Sequence, residues 1–183
     1  MPGPDPLDDA VEQMLAGDEG AFRTVYRAIH PPLLRYLTVL VGSDDAEDVA
    51  SEAWAQAFRD LGRFTGDADG FRGWVTTIGR HRALDHLRRS RRRPRDERAV
   101  DELVDLPDDA DVEGDSLGRV HSQAAIALVA SLPRDQAEAI MLRTVLGFDA
   151  VTAGRILGKT PGAVRAASFR GLRQLAKKLD PEP

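Results

Sequence analysis

Between Asp101 and Asp115 the chain reads DELVDLPDDADVEGD, and residues 99–118 carry eight acids and no base. Pro107 and Gly114 interrupt this run, and it has no sustained apolar periodicity. Such a segment cannot bury enough surface to fold alone, and its like charges push it open. It predicts an acidic, flexible linker over 96–118, spanning about 80 Å from Arg95 to Gly118 at full extension. The chain is thereby cut into two small domains, residues 21–95 and 119–183, with an acidic N-terminal tail over 1–20.

Charge is segregated about that cut. Residues 71–98 hold ten arginines against three acids, and residues 143–183 hold eight bases against three acids, although the whole chain is at −5. Two basic blocks around an acidic one suit a polyanionic partner. The absence of cysteine excludes disulfides, thiol switches and thiolate zinc sites. The first residues lack the basic and apolar regions of a secretion signal. No apolar run approaches the roughly 20 residues that span a bilayer. The expectation is a cytoplasmic protein without membrane insertion.

Both domains read as helical, and no segment alternates with period two. In the first, Phe22, Val25, Tyr26 and Ile29 recur at helical steps until Pro31-Pro32 interrupts them. Asp44 and Glu47 form a capping-box pattern. The helix they open collects Ala46, Val49, Ala50, Ala53, Trp54, Ala57, Phe58 and Leu61 on one half, with Asp45, Asp48 and Glu52 opposite. A Gly- and Asp-rich loop, 62–70, leads into a third helix over 71–89. There Phe71, Trp74, Val75 and Ile78 share a face that Leu84 and Leu87 do not. Either a kink at Gly79 or burial on two sides would explain that.

In the second domain, Ala137, Ile140, Met141, Thr144, Val145 and Phe148 share one face. A short helix over 149–157 then meets a longer one to Leu179. Thr160-Pro161 is a start signal, a hydroxyl cap followed by a proline at the first position. Ala153-Gly154 supplies the small contact that two steeply crossing helices need, and Gly158 a tight turn. Val164 packs back on Ile156 and Leu157. Arg165, Ala166, Phe169, Arg170 and Arg173 are left facing outward, as in a helix-turn-helix read into a major groove. An ordinary helical hairpin with a solvated basic face fits the spacing as well.

The tract Arg88, Arg89, Arg91, Arg92, Arg93 and Arg95 is either a phosphate footprint or a solvated helix end. The acidic face at Asp45, Asp48 and Glu52 is either a docking surface or ordinary solvated charge. His81 and His86 are five apart and share no helix face, so they suit the surface or DNA rather than a metal. No phosphate loop, serine elbow or paired carboxylates occur. The reading is of a protein with no catalytic residue, metal or cofactor.

Taken in order, Ala21-Phe22, Asp45-Ala46-Glu47-Asp48 with Glu52, Phe71-Arg72-Gly73-Trp74 running to Arg80, Asp85, Leu87, Arg88 and Arg89, Leu132-Pro133, Gly147-Phe148, Ile156-Leu157-Gly158 and Pro161-Gly162-Ala163-Val164-Arg165 form one pattern. It resembles the bacterial RNA polymerase sigma factors of the sigma-70 family, in their two-domain extracytoplasmic-function (ECF) form. The likeness spans about residues 10–93 and 119–179.

That resemblance implies an all-α promoter-specificity subunit that binds core RNA polymerase, recognises promoter DNA and assists duplex opening. Glu47, Asp48, Glu52 and Phe58 would dock on the clamp helices of the largest polymerase subunit. The second domain would pack on the flap of the other large subunit. Arg63, Phe64 and Asp67, in a loop over 63–69, would hold a flipped base of the minus-ten element. Trp74, His81, Asp85, Arg88 and Arg89 would bind that element, single-stranded. Thr160, Arg165, Ala166, Phe169, Arg170 and Arg173 would meet the duplex minus-thirty-five element. The acidic linker would thread a channel built for RNA.

An anti-sigma partner is implied as well. Ser51 stands where the family usually has glutamine, and His81 where asparagine is common. Lys159 occupies a usually apolar turn position. Ala166, Ala167 and Phe169 stand where polar readers often sit, so sequence specificity at the upstream element is expected to be modest. The residues by themselves also admit a stand-alone helix-turn-helix regulator, or a polymerase-binding protein that ignores DNA.

Overall fold

The computed structural model describes residues 5–92 and 116–180. The linker core, with Arg93 and Arg95, lies outside the described residues. Among the described residues there is no strand; the elements are α1 (Pro6–Leu15), α2 (Glu19–Val41), α3 (Ser43–Arg59), α4 (Ala68–Arg92), α5 (Ser116–Ala130), α6 (Arg134–Ile140), α7 (Ala150–Leu157) and α8 (Pro161–Leu179). A 3-10 turn over Leu61–Arg63 precedes α4, and a π-helical segment over Met141–Val145 continues α6. The all-α expectation holds.

The acidic N-terminal stretch is more than a tail. Asp5 caps α1 by accepting from the Leu7 amide at 3.0 Å, with Pro6 at the first position. Val11 and Met14 are buried in the core. Only ten residues long and rich in acids, α1 draws its stability from that packing rather than from its own propensity.

Pro31 and Pro32 do not end the preceding run. α2 continues through them for 23 residues. An interior proline costs roughly 3 kcal/mol. Ile29 and Val25 before the prolines, and Leu33, Tyr36 and Leu37 after them, are all buried in one core. Each such side chain contributes about 2 kcal/mol, so burial outweighs the broken ladder. α3 also departs from expectation at its start. Its N-cap is Gly42, with no side-chain cap bond, so the Asp44–Glu47 capping box does not form. Asp44 and Asp45 occupy the first turn instead, where the helix dipole favours them.

α4 is buried on two sides, which explains its mixed pattern. Phe71, Val75, Ile78 and Ala83 face the first-domain core, and a Cβ on Gly79 would lie 3.2 Å from Leu33. A quarter-turn around, Arg72 and Arg80 meet the second domain. Arg72 donates to the Leu146 carbonyl and lies 5.5 Å over the Phe148 ring. The Arg80 guanidinium grips the buried Glu138 carboxylate, Nε at 2.9 Å and Nη2 at 3.3 Å, and the Tyr36 hydroxyl donates to the same carboxylate at 3.0 Å. The two domains therefore share one continuous core in this structure.

Candidate nucleic-acid interface

α3 builds the acidic surface. Ala46, Val49, Ala50, Ala53, Trp54 and Ala57 are buried, so the 3.6-residue period leaves Glu47, Asp48 and Glu52 on the solvent side. Phe58 is 50 % exposed, and its ring rests on Phe22 with centroids 4.2 Å apart. An aromatic that large and that exposed beside carboxylates is a natural anchor for a protein partner. Along one edge the acidic surface adjoins the basic end of α4. Asp45 bonds His86 at 2.9 Å, Gln56 accepts from Arg82 Nε at 2.8 Å, and Glu52 lies 3.9 Å from Arg89. His86, expected at the surface or on DNA, is half-buried in this seam.

Beneath Glu47 lies an aromatic stack. His30 stacks on Tyr26 at 4.7 Å, and Trp54 Nε1–H donates to His30 Nδ1 at 3.2 Å. Indole is only a donor, so Nδ1 is the acceptor and the imidazole proton sits on Nε2, 3.8 Å from Glu47. Burial lowers the His30 pKa, and the Glu47 charge offsets only part of that. The folded state thus prefers neutral imidazole, whereas the unfolded chain takes up a proton near pH 6.5. Stability from this site is complete above that pH and is lost as the pH falls below it. Urea denaturation at about pH 7.5 and about pH 5.5 should show wild type losing more stability between them than His30→Gln. Equal losses would mean that His30 protonation is not responsible.

The loop before α4 is held by carboxylates from two places. Asp67 Oδ1 accepts from the Gly70 amide at 2.8 Å, and Asp8 on α1 accepts from the Ala68 amide at 2.9 Å. Phe64 packs on Phe71 and Trp74, with centroids 5.1 and 5.2 Å away. Phe64, Asp67 and Trp74 therefore converge, and Trp74 with Asp67 and Asp69 lines a cleft of about 570 Å³. An aromatic wall beside carboxylate acceptors is suited to stacking a base and reading its edge. Arg63 stands apart on the 3-10 turn, 86 % exposed and 3.8 Å from Asp60.

Farther along α4, Trp74, His81, Asp85 and Arg88 recur at seven-, four- and three-residue steps and form one stripe with the neighbouring Arg89. His81, Asp85, Arg88 and Arg89 are exposed, and Asp85 holds Arg88 Nη1 at 2.8 Å. No group of three or more His, Cys, Asp or Glu residues is arranged to hold a metal among the described residues.

The second domain contains the helix-turn-helix. Asp149 caps α7, accepting from the Thr152 amide at 2.7 Å, a bond that lowers its carboxyl pKa. Gly158 ends α7 with φ +64°. Thr160 caps α8 from its hydroxyl at 3.2 Å, with Pro161 at the first position. A Cβ on Gly154 would fall 2.5 Å from the Lys159 carbonyl oxygen, so the crossing admits only glycine without a shift. Arg165, Ala166, Phe169, Arg170 and Arg173 are exposed, and Arg173 lies 5.8 Å over the Phe169 ring. Ala167 is buried beside Val164 and so cannot act as a reader. Leu172 and Leu179 are exposed as well.

Sequence reasoning missed several positioning residues. Asp8 lies 60 positions from the amide it caps. Arg72 and Tyr36 gave no local sign of their roles. Glu138 was visible only as a lone carboxylate in the apolar run Ala137–Ile140.

Comparison with known proteins follows the same division. Residues 25–93 match the family model for Sigma-70 region 2, and residues 122–175 match that for Sigma-70, region 4. The chain belongs to the sigma-70 family. It is 33 % identical over 174 residues to the ECF RNA polymerase sigma factor ShbA of Streptomyces griseus, covering 90 % of this chain and 91 % of that one. It is 31 % identical over 173 residues to the ECF sigma factor BldN of Streptomyces coelicolor, covering 93 % of this chain but 65 % of BldN.

Among solved structures, CnrH in complex with the cytosolic domain of CnrY superposes with a TM-score of 0.67 at 20 % identity, covering 98 % of this chain and all of that one. The sigma factor RpoE of Bartonella quintana, in complex with the anti-sigma factor NepR, gives 0.68 at 23 %, covering 86 % and 96 %. These two share its fold. The chain is a sigma factor of the ECF group, and the region 2 match disfavours a stand-alone helix-turn-helix regulator. No described helix is long and apolar enough to cross a membrane.

Proposed function

We propose that this sigma factor docks on core RNA polymerase through Glu47, Asp48, Glu52 and Phe58 and uses the α4 stripe for the minus-ten element. The observation that carries the reading is the seam where Glu52 and Arg89 stand 3.9 Å apart. A surface that meets protein on one side and nucleic acid on the other puts the strand at the polymerase's edge. The clamp helices of the largest subunit would take the acids. Phe64, Asp67 and Trp74 would receive a flipped base, with Arg63 reaching the backbone, and His81, Asp85, Arg88 and Arg89 would hold the strand. The α8 face from Thr160 to Arg173 would enter the minus-thirty-five major groove, while the second domain would contact the flap. The residues assigned to it are 119–183, against 21–95 for the first domain.

On this reading the chain acts in the cytoplasm and has no catalytic chemistry of its own. An anti-sigma protein is the natural regulator, as CnrY and NepR are found on proteins of the same fold.

Arg88→Ala with Arg89→Ala tests the nucleic-acid side. Removing one phosphate interaction takes roughly 0.7–0.9 off the slope of log affinity against log salt, so the slope should fall by about 1.5. Fluorescence anisotropy of the polymerase complex on promoter DNA across a salt series measures it. An unchanged slope would mean that these arginines touch no phosphate.

A further inference from the structure

The first amides of a helix have no partner within it, and α4 satisfies two of them with carboxylates from different places. Asp67, just before the helix, accepts from the Gly70 amide through Oδ1 at 2.8 Å. The Ala68 amide donates to Asp8 Oδ1 at 2.9 Å, from the first turn of α1. Ala68 is fully buried, so water does not replace that carboxylate while the loop keeps its place.

α1 does not need this bond for itself. Asp5 caps it, Pro6 opens it, and Val11 and Met14 fix it in the core. Met14 lines one small void with Leu61 and Phe71, so α1 meets both ends of the connection from α3 to α4. The beneficiary is that connection. Without Asp8 the Ala68 amide is buried and unpaired, which costs more than the bond itself contributes.

The nearest relief is local. Residues 65–67 are exposed, so lifting them admits water without opening the core. Asp67 adjoins Ala68 and would move with it. Phe64 would follow, because the loop is folded closely over its ring. A Cβ on Gly66 would lie 3.1 Å from Phe64 Cζ, and one on Gly70 3.8 Å from the same atom. Phe64 in turn packs on Trp74, with centroids 5.2 Å apart. The aromatic wall and the carboxylate beside it are thus held from α1 as well as from within the loop.

We propose that Asp8 is a positioning residue for the minus-ten contact: by holding the Ala68 amide it keeps Phe64, Asp67 and Trp74 preorganised for an unstacked base. The proposal rests on the sigma reading of that loop. Asp8 touches no base and acts only through the loop. A base entering a preformed site incurs no ordering cost, whereas a loop in place about one-tenth of the time binds about tenfold more weakly. The acidic N-terminal helix, far from the basic stripe of α4 in sequence, becomes part of the strand-binding apparatus.

Asp8→Ala and Asp8→Asn separate the acceptor from the rest of the side chain, because an Asn amide oxygen still accepts from Ala68. Both are read on the full chain assembled with core polymerase. The probe is a premelted promoter fragment located by run-off mapping, carrying a fluorescent adenine analogue at successive positions of its minus-ten strand. The analogue brightens where a base leaves the stack. Asp8→Ala should bind the fragment about tenfold more weakly and dim the brightest position, and Asp8→Asn should restore most of both. Co-elution with polymerase and binding of a duplex carrying only the minus-thirty-five element should stay as in wild type. Amide hydrogen exchange on the free chain reads the bond directly: Ala68 should exchange about tenfold faster in Asp8→Ala and stay slow in Asp8→Asn.

Unchanged strand affinity in Asp8→Ala overturns the proposal and leaves the sigma reading intact. An Asp8→Asn variant as weak as Asp8→Ala overturns it too, since the acceptor would then not be responsible. Equal losses on the premelted fragment and on the minus-thirty-five duplex would make Asp8 a general support of the fold and likewise overturn it. Wild type that gives no start site, or brightens no position, sinks the base-pocket reading and the role of Asp8 together.

Discussion

Asp48→Arg combined with Glu52→Arg is expected to abolish co-elution with core RNA polymerase while leaving the chain folded. Both side chains are exposed on the solvent face of α3, opposite the buried Ala46, Val49, Ala50 and Ala53. The change breaks the Glu52–Arg89 ion pair at 3.9 Å, which is about half exposed on each side. Pairs of that kind contribute about 1 kcal/mol or less to stability. At an interface the balance differs, because two reversed charges set like against like at each site. Each such juxtaposition costs several kcal/mol. A total near 4 kcal/mol is about a thousandfold in affinity. Gel filtration with core enzyme, beside a thermal melt by circular dichroism, checks both halves. Undiminished co-elution with a normal melt would remove α3 from the docking surface.

Gly154→Val should be the most damaging single change in the second domain. The added Cβ would come within 2.5 Å of the Lys159 carbonyl oxygen, which is backbone and cannot swing aside. Forcing the turn open costs about 3 kcal/mol and displaces α8, so the caps at Asp149 and Thr160 no longer hold the two helices in register. Binding to a minus-thirty-five duplex should be lost, whereas docking through α3 should persist. Gly158→Ala is the informative comparison. Gly158 has φ +64° but no neighbour within 4 Å of the new carbon. It incurs only the left-handed penalty of roughly 1–2 kcal/mol and should retain most DNA binding. Equal damage from the two would mean that conformation, not the helix crossing, limits the turn.

The contrast between those glycines shows which parts of the structure were legible in the sequence. Asp149, Gly158 and Thr160-Pro161 act within a few residues of themselves, so local spacing exposes them. The acidic and apolar sides of α3 follow likewise from a single period. α1 was hidden because a ten-residue acidic helix has little pattern of its own and exists by packing Val11 and Met14. Pro31-Pro32 misled because the penalty is local while the compensation is tertiary. Ala167 stands where the family often has a polar reader, yet it is buried on the same side of α8 as Val164.

α4 carries the largest lesson for the site. One helix packs on its own domain, contacts the other and displays an exposed polar stripe, so no single amphipathic face could emerge from its residues. The bonds that join the domains link positions 58 and 102 residues apart, a separation at which one sequence holds no signal. His86 fell to the same limit, since its partner Asp45 is 41 residues away.

Run-off transcription with core polymerase on a library of genomic fragments measures the central claim most directly. The chain should produce discrete start sites that core enzyme alone does not, each preceded by a shared pair of sequence elements about 25 base pairs apart, or about 85 Å along the duplex. A transcript pattern indistinguishable from that of core enzyme alone would contradict the account.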